Sequence, residues 1–222
     1  MREFLAEYGQ LLIDGTLSTL AMVFISTAIT YVLGVPLGVF VTVTAPGSLK
    51  PHRGLNAVLG WIVNIGRSIP FIILLVALIP VTRLIVGTSL GTVGAIVPLV
   101  VAATPFVARM VESSLAELGP GVIEAALSYG ASTWQVIWKV MLRESLPSIA
   151  RGASITLITL VGYSAMAGAV GAGGLGDIAI RYGYYRYQDD VMFATIVILI
   201  VLVQLIQTSG DLAARALDKR NR

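Results

Sequence analysis

The reactive side chains of this sequence are few, and their spacing excludes the commonest kinds of catalysis. The chain has no cysteine and one histidine, His52, so disulfides, thiolate metal sites and a histidine pair are excluded. None of the lysines, Lys50, Lys139 and Lys219, follows a glycine, so the nucleotide-binding pattern GxxxxGKS or GxxxxGKT is absent. We therefore expect no catalytic residue, no metal and no cofactor, and we expect a partner to perform any ATP hydrolysis.

A glycine-rich stretch at residues 171–176, Gly-Ala-Gly-Gly-Leu-Gly, matches the dinucleotide pattern GxGxxG. That pattern binds a cofactor when it connects a strand to a helix, whereas this stretch closes an apolar helix. We favour a role in close helix packing, because small residues let helix backbones approach one another in a membrane.

The residues whose spacing indicates a specific task lie in a polar connection predicted at 111–147. Pro120 is suited to open a short helix there, and Gly130 is suited to close it with a left-handed cap. The small residues inside this helix offer a surface on which another protein can lie closely, although an ordinary capped loop helix is the alternative. The candidate docking residues are Glu124, Ala125, Ala126 and Gly130.

A second helix is predicted directly after Gly130. Ser132 and Gln135 have the spacing of a capping box, in which each residue hydrogen-bonds the backbone of the other. Apolar residues then recur at helical spacing, which predicts one amphipathic stripe at the membrane surface. The stripe consists of Trp134, Ile137, Trp138, Met141 and Leu142.

Composition indicates that these helices belong to a membrane protein. The 222 residues are 56% hydrophobic and 12% charged, whereas soluble domains carry about 25% charged residues. The net charge of +3 arises from few residues at the edges of apolar runs, so we do not expect nucleic acid as a partner. The sequence therefore predicts an all-α, polytopic fold in contact with membrane lipid.

Apolar runs long enough to cross a bilayer, about 20 residues each, predict five transmembrane helices in a single domain. A short amphipathic helix on the membrane surface is predicted before the first of them. The second is interrupted by Gly-Arg-Ser-Ile-Pro at residues 66–70. The predicted spans are 16–43, 55–81, 89–109, 148–170 and 191–210.

The distribution of basic residues predicts the orientation of these spans, because loops on the cytoplasmic side are richer in lysine and arginine. With the N-terminus outside, the outer side carries only Arg2, Arg83, Arg181 and Arg186. The C-terminus and the connection 111–147 then face the cytoplasm, where ATP is. The inner side carries Lys50, Arg53, Arg109, Lys139, Arg143, Arg151, Arg215, Lys219, Arg220 and Arg222.

Arg67 is the one charged residue in the middle of a predicted span, since Arg109 and Arg151 lie at or within three residues of a span end. Charges within a membrane are costly and often functional. The alternative, which we favour, is that the span begins near Ser68 and that Arg67 lies at the cytoplasmic interface.

Glu124-Ala125-Ala126, followed after three residues by Gly130, resembles the "EAA" loop in the membrane-spanning permease subunits of bacterial ABC importers. Residues 67–75 and 162–176 are similar to the methionine-uptake branch of that family, and the likeness extends from about Gly15 to Gly210. One position departs from the family pattern: Arg143 stands where a proline is usual, and the nearest proline is Pro147.

The resemblance implies a type I importer permease in the bacterial inner membrane, acting as a homodimer with the translocation path at its interface. Two ATP-binding subunits would dock from the cytoplasm, one on each coupling segment, and an extracytoplasmic substrate-binding protein would deliver the substrate. The substrate implied by resemblance alone is methionine, as either enantiomer.

Tyr163, Ser164 and Met166 are candidates for lining the path, although a methionine on an apolar helix often only packs. The alternative function is a stand-alone secondary transporter or channel for a small amino acid. Such proteins depend on carboxylates or a charged filter inside the membrane, and the predicted spans contain no Asp or Glu.

Overall fold

The first apolar run forms one long helix, α1 (Arg2–Thr44), in a computed structural model that describes residues 2–217. The prediction of a separate surface helix before the first span is wrong. Tyr8 and Leu12 pack against Ile178 and Val191, so the amphipathic start of α1 is covered by protein. A helix of 43 residues extends about 65 Å, about twice the ~30 Å hydrocarbon core of a bilayer.

The second apolar run is broken, as its sequence predicts. It forms α2 (Arg53–Ser68), α3 (Phe71–Ala77) and α4 (Ile79–Val86). Ile69 adopts an extended conformation (φ −84°, ψ 123°), which the following Pro70 favours over the helical one. The axes of α2 and α3 are bent by 102° at this point. Arg67 lies in the last turn of α2, beside the bend, and its side chain is exposed.

The third predicted span is longer than expected, because α5 runs from Gly91 to Ala116. The predicted start of the polar connection at residue 111 is therefore wrong, since Val111 and Leu115 are buried in the helix. Arg109 lies inside α5, where it contacts Glu112 at 2.7 Å and donates to the Asn64 side chain at 2.7 Å.

The remaining helices complete an all-helical chain with no strand among residues 2–217. Two short helical segments lie between α5 and α8 (Leu146–Gly168): α6 (Pro120–Ser128) and α7, which comprises Thr133–Gln135, Val136–Met141 and Leu142–Glu144. After α8 come α9, comprising Gly174–Ile178 and Ala179–Tyr184, and α10 (Asp189–Leu217). The basic tail residues Lys219, Arg220 and Arg222 lie outside the described residues.

The core is formed where α1, α5 and α8 meet. Met22, Leu99 and Leu160, one from each helix, are fully buried there. Among the described residues, four helices are long and apolar enough to cross a membrane, and the bent pair α2–α3 makes a fifth candidate. The predicted all-α, polytopic fold class is confirmed.

Candidate functional site

Helix α6 projects from the bundle between α5 and α8. Gly119 precedes it in an extended conformation (φ −62°, ψ 138°), and Pro120 occupies the first turn, where its missing N–H has no helical partner to lose. None of its nine residues is buried. The position of α6 therefore depends on the geometry of its two ends and on the few residues that it turns inward.

The outward face of α6 differs in part from the predicted one. Glu124 and Ala125 are exposed, as expected for docking residues. Ala126 instead turns inward and, with Ile123, packs against a cluster that includes the buried Val136. The apolar residues that α6 and its C-cap present to solvent are ones that the motif did not single out, namely Val122, Leu127 and Tyr129.

Gly130 closes α6 in the manner predicted. Its φ of +79° lies in the left-handed region that favours glycine. The Gly130 N–H donates to the Leu127 carbonyl at 2.9 Å, and the Ala131 N–H donates to the Ala126 carbonyl at 3.1 Å. These two bonds make a Schellman motif, which satisfies carbonyls that the end of a helix leaves unpaired.

Helix α7 begins with the predicted capping box. The Ser132 N–H donates to the Gln135 side chain at 2.8 Å, and the Gln135 N–H donates to the Ser132 hydroxyl at 3.3 Å. The middle of α7, Val136–Met141, is a π-helix. Val136 and Met141 are both buried, and their separation of five residues matches the π-helical hydrogen-bond spacing.

The predicted single apolar stripe of α7 is therefore wrong for Met141, whereas Trp134, Ile137, Trp138 and Leu142 do share one side. Met141 points into the core, whereas Trp134 and Trp138 are 67% and 55% exposed. The two indole rings contact each other edge-on, with centroids 5.5 Å apart. Sequence periodicity assumes an α-helix throughout, so it could not separate the buried side chains from the exposed ones.

The connection from α7 to α8 is held by serine hydroxyls, and a proline begins α8. α7 ends at Glu144, and Pro147 lies in the first turn of α8, so Arg143 is simply a helical residue. The buried Ser145 hydroxyl donates to the Ser114 carbonyl of α5 at 3.0 Å. The hydroxyls of Ser114 and Ser148 are 3.0 Å apart. These bonds join α5, the end of α7 and the start of α8.

We expect Ser145→Ala to destabilise this junction by about 1 kcal/mol, because a buried hydrogen bond is lost. The expected fall in melting temperature is about 2–4 °C, measured by thermal unfolding of the purified protein. Ser113→Ala is the matched control, since Ser113 is exposed on the same helix as Ser114. An equal shift in both variants would contradict a specific role for the Ser145 hydroxyl.

The three candidate pathway residues are not brought together on one surface. Ser164 is buried, and its hydroxyl donates to the Val161 carbonyl at 2.8 Å. Tyr163 is partly buried and stacks on Phe71 with ring centroids 4.4 Å apart. Met166 is 50% exposed on another face of α8.

The glycine-rich stretch 171–176 packs helices closely, as its sequence favours. A Cβ atom on Gly176 would overlap the backbone of Ala165 in α8, and one on Gly168 would overlap the backbone of Gly176 and Asp177. The Leu175 N–H donates to the Thr19 hydroxyl of α1 at 2.9 Å. The stretch follows the helix α8 rather than a strand.

Comparison with known proteins agrees with this architecture. Residues 34–222 match the family described as binding-protein-dependent transport system inner membrane component. The chain is 54% identical over 218 residues to a probable D-methionine transport system permease protein of Vibrio cholerae, covering 98% of this chain and 97% of that one. It is 45% identical over 177 residues to the methionine import system permease protein of Bacillus subtilis, covering 80% of each.

Two solved structures extend the comparison. A chain of the MetNI methionine ABC transporter in an inward-facing conformation superposes with a TM-score of 0.95 at 52% identity, covering 96% of this chain and 99% of that one. An amino acid ABC transporter chain superposes with a TM-score of 0.76 at 20% identity, covering 96% of each chain, which shows a shared fold. The chain therefore belongs to the family of binding-protein-dependent transport system inner membrane components, the permeases of bacterial ABC importers.

Proposed function

We propose that this chain forms the translocation path of an ATP-driven methionine importer, as a homodimer that carries one ATP-binding subunit on each α6. The observation that carries this proposal is α6 itself. It is a capped helix between two membrane helices with none of its residues buried, and Val122, Leu127 and Tyr129 give an apolar surface free for a partner.

The contacts of α6 suggest how a movement imposed on it would reach the membrane. Ile123 and Ala126 link α6 to the buried part of α7. The hydroxyl bonds of Ser145 and Ser114 then link α7 to α5 and α8. ATP binding would draw the two ATP-binding subunits together, and each α6 would act as a lever that shifts the dimer between inward-open and outward-open states. The chain itself would perform no covalent chemistry.

Methionine is supported as the substrate by the names of the relatives, which include both methionine and D-methionine permeases. Within this chain, Met166 is the pathway candidate that faces outward, on the same side of α8 as Gly162 and Ile155. In a homodimer this face would lie toward the partner and the path. An extracytoplasmic substrate-binding protein would release methionine at the opposite end of the bundle from α6.

The proposed topology places the N-terminus outside and α6 in the cytoplasm. Because the chain has no cysteine, a thiol reagent labels only a cysteine that is introduced by substitution, so its labelling shows on which side of the membrane that residue lies. We expect a membrane-impermeant maleimide to label Thr88→Cys, in the exposed loop after α4, in intact cells. Ser128→Cys, on α6, should react only after the membrane is opened. The reverse pattern would place α6 out of reach of ATP and would overturn the proposal.

Reconstitution tests the proposed function. We expect labelled methionine to enter proteoliposomes only when this chain, the ATP-binding subunit, the binding protein and ATP are all present. Uptake by this chain alone along an ion gradient would instead support the secondary transporter or channel, which the relatives do not support. A complex that assembles with its partners but never moves any amino acid would indicate a purely structural membrane subunit.

A further inference from the structure

An apolar groove of about 410 Å³ lies between the C-terminal half of α1 and the exposed side of α7. Val35, Val39 and Val43 form part of the α1 wall, and Ile137 and Trp138 form part of the facing wall. The groove is separate from α6 and from the outward face of α8, so the proposed importer mechanism does not account for it.

The dimensions of this groove match one leaflet of a bilayer. Val35 and Val43 are eight residues apart on one helix, so the α1 wall is about 12 Å long. Half of the ~30 Å hydrocarbon core of a membrane is about 15 Å. The groove also runs toward the end of α1 at Thr44, where the chain enters the polar loop that carries Lys50. It therefore has the depth of a single acyl chain and a polar end.

The charge at that polar end is positive. Lys50 is the charged residue among those that line the groove, its side chain is exposed, and it has no ion pair within residues 2–217. The loop 45–52 contains no acidic residue, and α7 carries Lys139 and Arg143 against Glu144. An anion beside Lys50 would therefore be attracted by an unpaired ammonium group and would be repelled by few nearby carboxylates.

The aromatic residues of α7 also point to a lipid. Trp134 and Trp138 line the groove while remaining more than half exposed. Tryptophan is enriched at the level of lipid headgroups, where its ring is buried in apolar surroundings and its N–H meets polar ones. A protein partner would also bury apolar residues here, but the slot shape, its leaflet depth and the cation at one end fit a phospholipid better.

We propose that this groove binds one anionic phospholipid of the cytoplasmic leaflet, with an acyl chain between α1 and α7 and the phosphate on Lys50. The choice of leaflet rests on the proposed function, which places α7 in the cytoplasmic half of the membrane. The lipid contacts α7 and α1 together, so it stabilises one position of the coupling segment relative to the bundle. Its loss should weaken the coupling of ATP hydrolysis to transport.

Lipid retention by the purified complex with its ATP-binding subunit tests this site. The complex is equilibrated with phosphatidylglycerol, and the bound lipid is counted by native mass spectrometry. We expect Lys50→Glu to lower retention about tenfold, since a favourable charge becomes a repulsive one. Val39→Trp, which fills the groove, should lower it similarly. Lys139→Glu is the matched control, because Lys139 is exposed on α7 but does not line the groove.

Wild-type retention in both Lys50→Glu and Val39→Trp would overturn the proposal, and so would an equal loss in Lys139→Glu. Photoactivatable phosphatidylglycerol provides a test on the unaltered chain, with adducts expected on α1 near Val39 and on α7 near Trp138. A photoreactive residue at Phe40, which also lines the groove, should attach to lipid. Attachment to the ATP-binding subunit or to a second copy would identify a protein occupant and refute the lipid site.

This test is independent of the substrate. Failure of methionine uptake in every lipid, with normal phosphatidylglycerol retention, would overturn the proposed function and leave the lipid site standing. Methionine uptake that is equally coupled to ATP in phosphatidylcholine alone and with added phosphatidylglycerol would overturn the proposed effect of the lipid on coupling.

Discussion

Gly130→Val is expected to abolish binding of the ATP-binding subunit while the chain still inserts into the membrane. The φ of +79° at this position is strongly unfavourable for a β-branched residue, whereas no atom lies within 4 Å of the added Cβ. The cost is therefore in the backbone, about 1–3 kcal/mol. We expect residue 130 to relax to a more favourable φ, which would break the two Schellman hydrogen bonds and change the position of α6. We expect recovery of the ATP-binding subunit in pull-downs to fall about tenfold or more.

Two variants separate this effect from a general loss of structure. Gly130→Asn should keep most of the binding, because asparagine tolerates the left-handed conformation. Gly119→Val places the same side chain at the other end of α6, where the backbone is extended and the surrounding space is open. We expect that variant to bind nearly as well as the unaltered chain. Wild-type binding by Gly130→Val would contradict the assignment of α6 as the coupling helix.

Gly168→Ala is expected to be the most destabilising single substitution that we consider. The added methyl group would overlap backbone atoms of Gly176 and Asp177, and backbone cannot move aside as the end of a flexible side chain can. Overpacking of this kind costs about 1–3 kcal/mol or more. The consequence should be separation of α8 from α9, with a fall in melting temperature of at least several degrees and low yield of the assembled protein.

Gly60→Ala is the matched control, since Gly60 is also inside a helix, α2, and a Cβ there meets nothing within 4 Å. Alanine has a higher helix propensity than glycine, so this variant should be as stable as the unaltered chain or slightly more stable. Equal destabilisation of the two variants, or none in Gly168→Ala, would contradict the packing role assigned to the glycine-rich stretch.

The features that sequence predicted best depend on local chemistry. Gly130, the capping box of Ser132 and Gln135, and the break before Pro70 each require only a few neighbouring residues to fix the backbone. The fold class can also be predicted from sequence, because a long apolar run in a membrane can satisfy its backbone hydrogen bonds almost only as a helix.

The features that sequence missed depend on contacts between distant residues. The π-helix in α7 is favoured by burying both Val136 and Met141 against α5, which no local pattern records. α5 extends to Ala116, where Val111 and Leu115 are buried against other parts of the chain, and Arg109 contacts Asn64 on another helix. Ser164 and Met166 are both predicted to line a path, but Ser164 is buried and Met166 is half-exposed on a different face of α8.

The unbroken length of α1 constrains any movement of the protein. Its N-terminal end is anchored where the Gln188 side chain donates to the Tyr8 hydroxyl at 2.8 Å, and its C-terminal end is anchored where the Asn56 side chain donates to the Val41 carbonyl at 2.7 Å. Because α1 is a continuous helix anchored near both ends, a displacement of one end moves the other end as well, unless the helix bends between them. Pro36 lies within the helix and cannot donate to the Val32 carbonyl, so the helix is weakest there. Rocking of the bundle must either carry the whole helix along or bend it at Pro36.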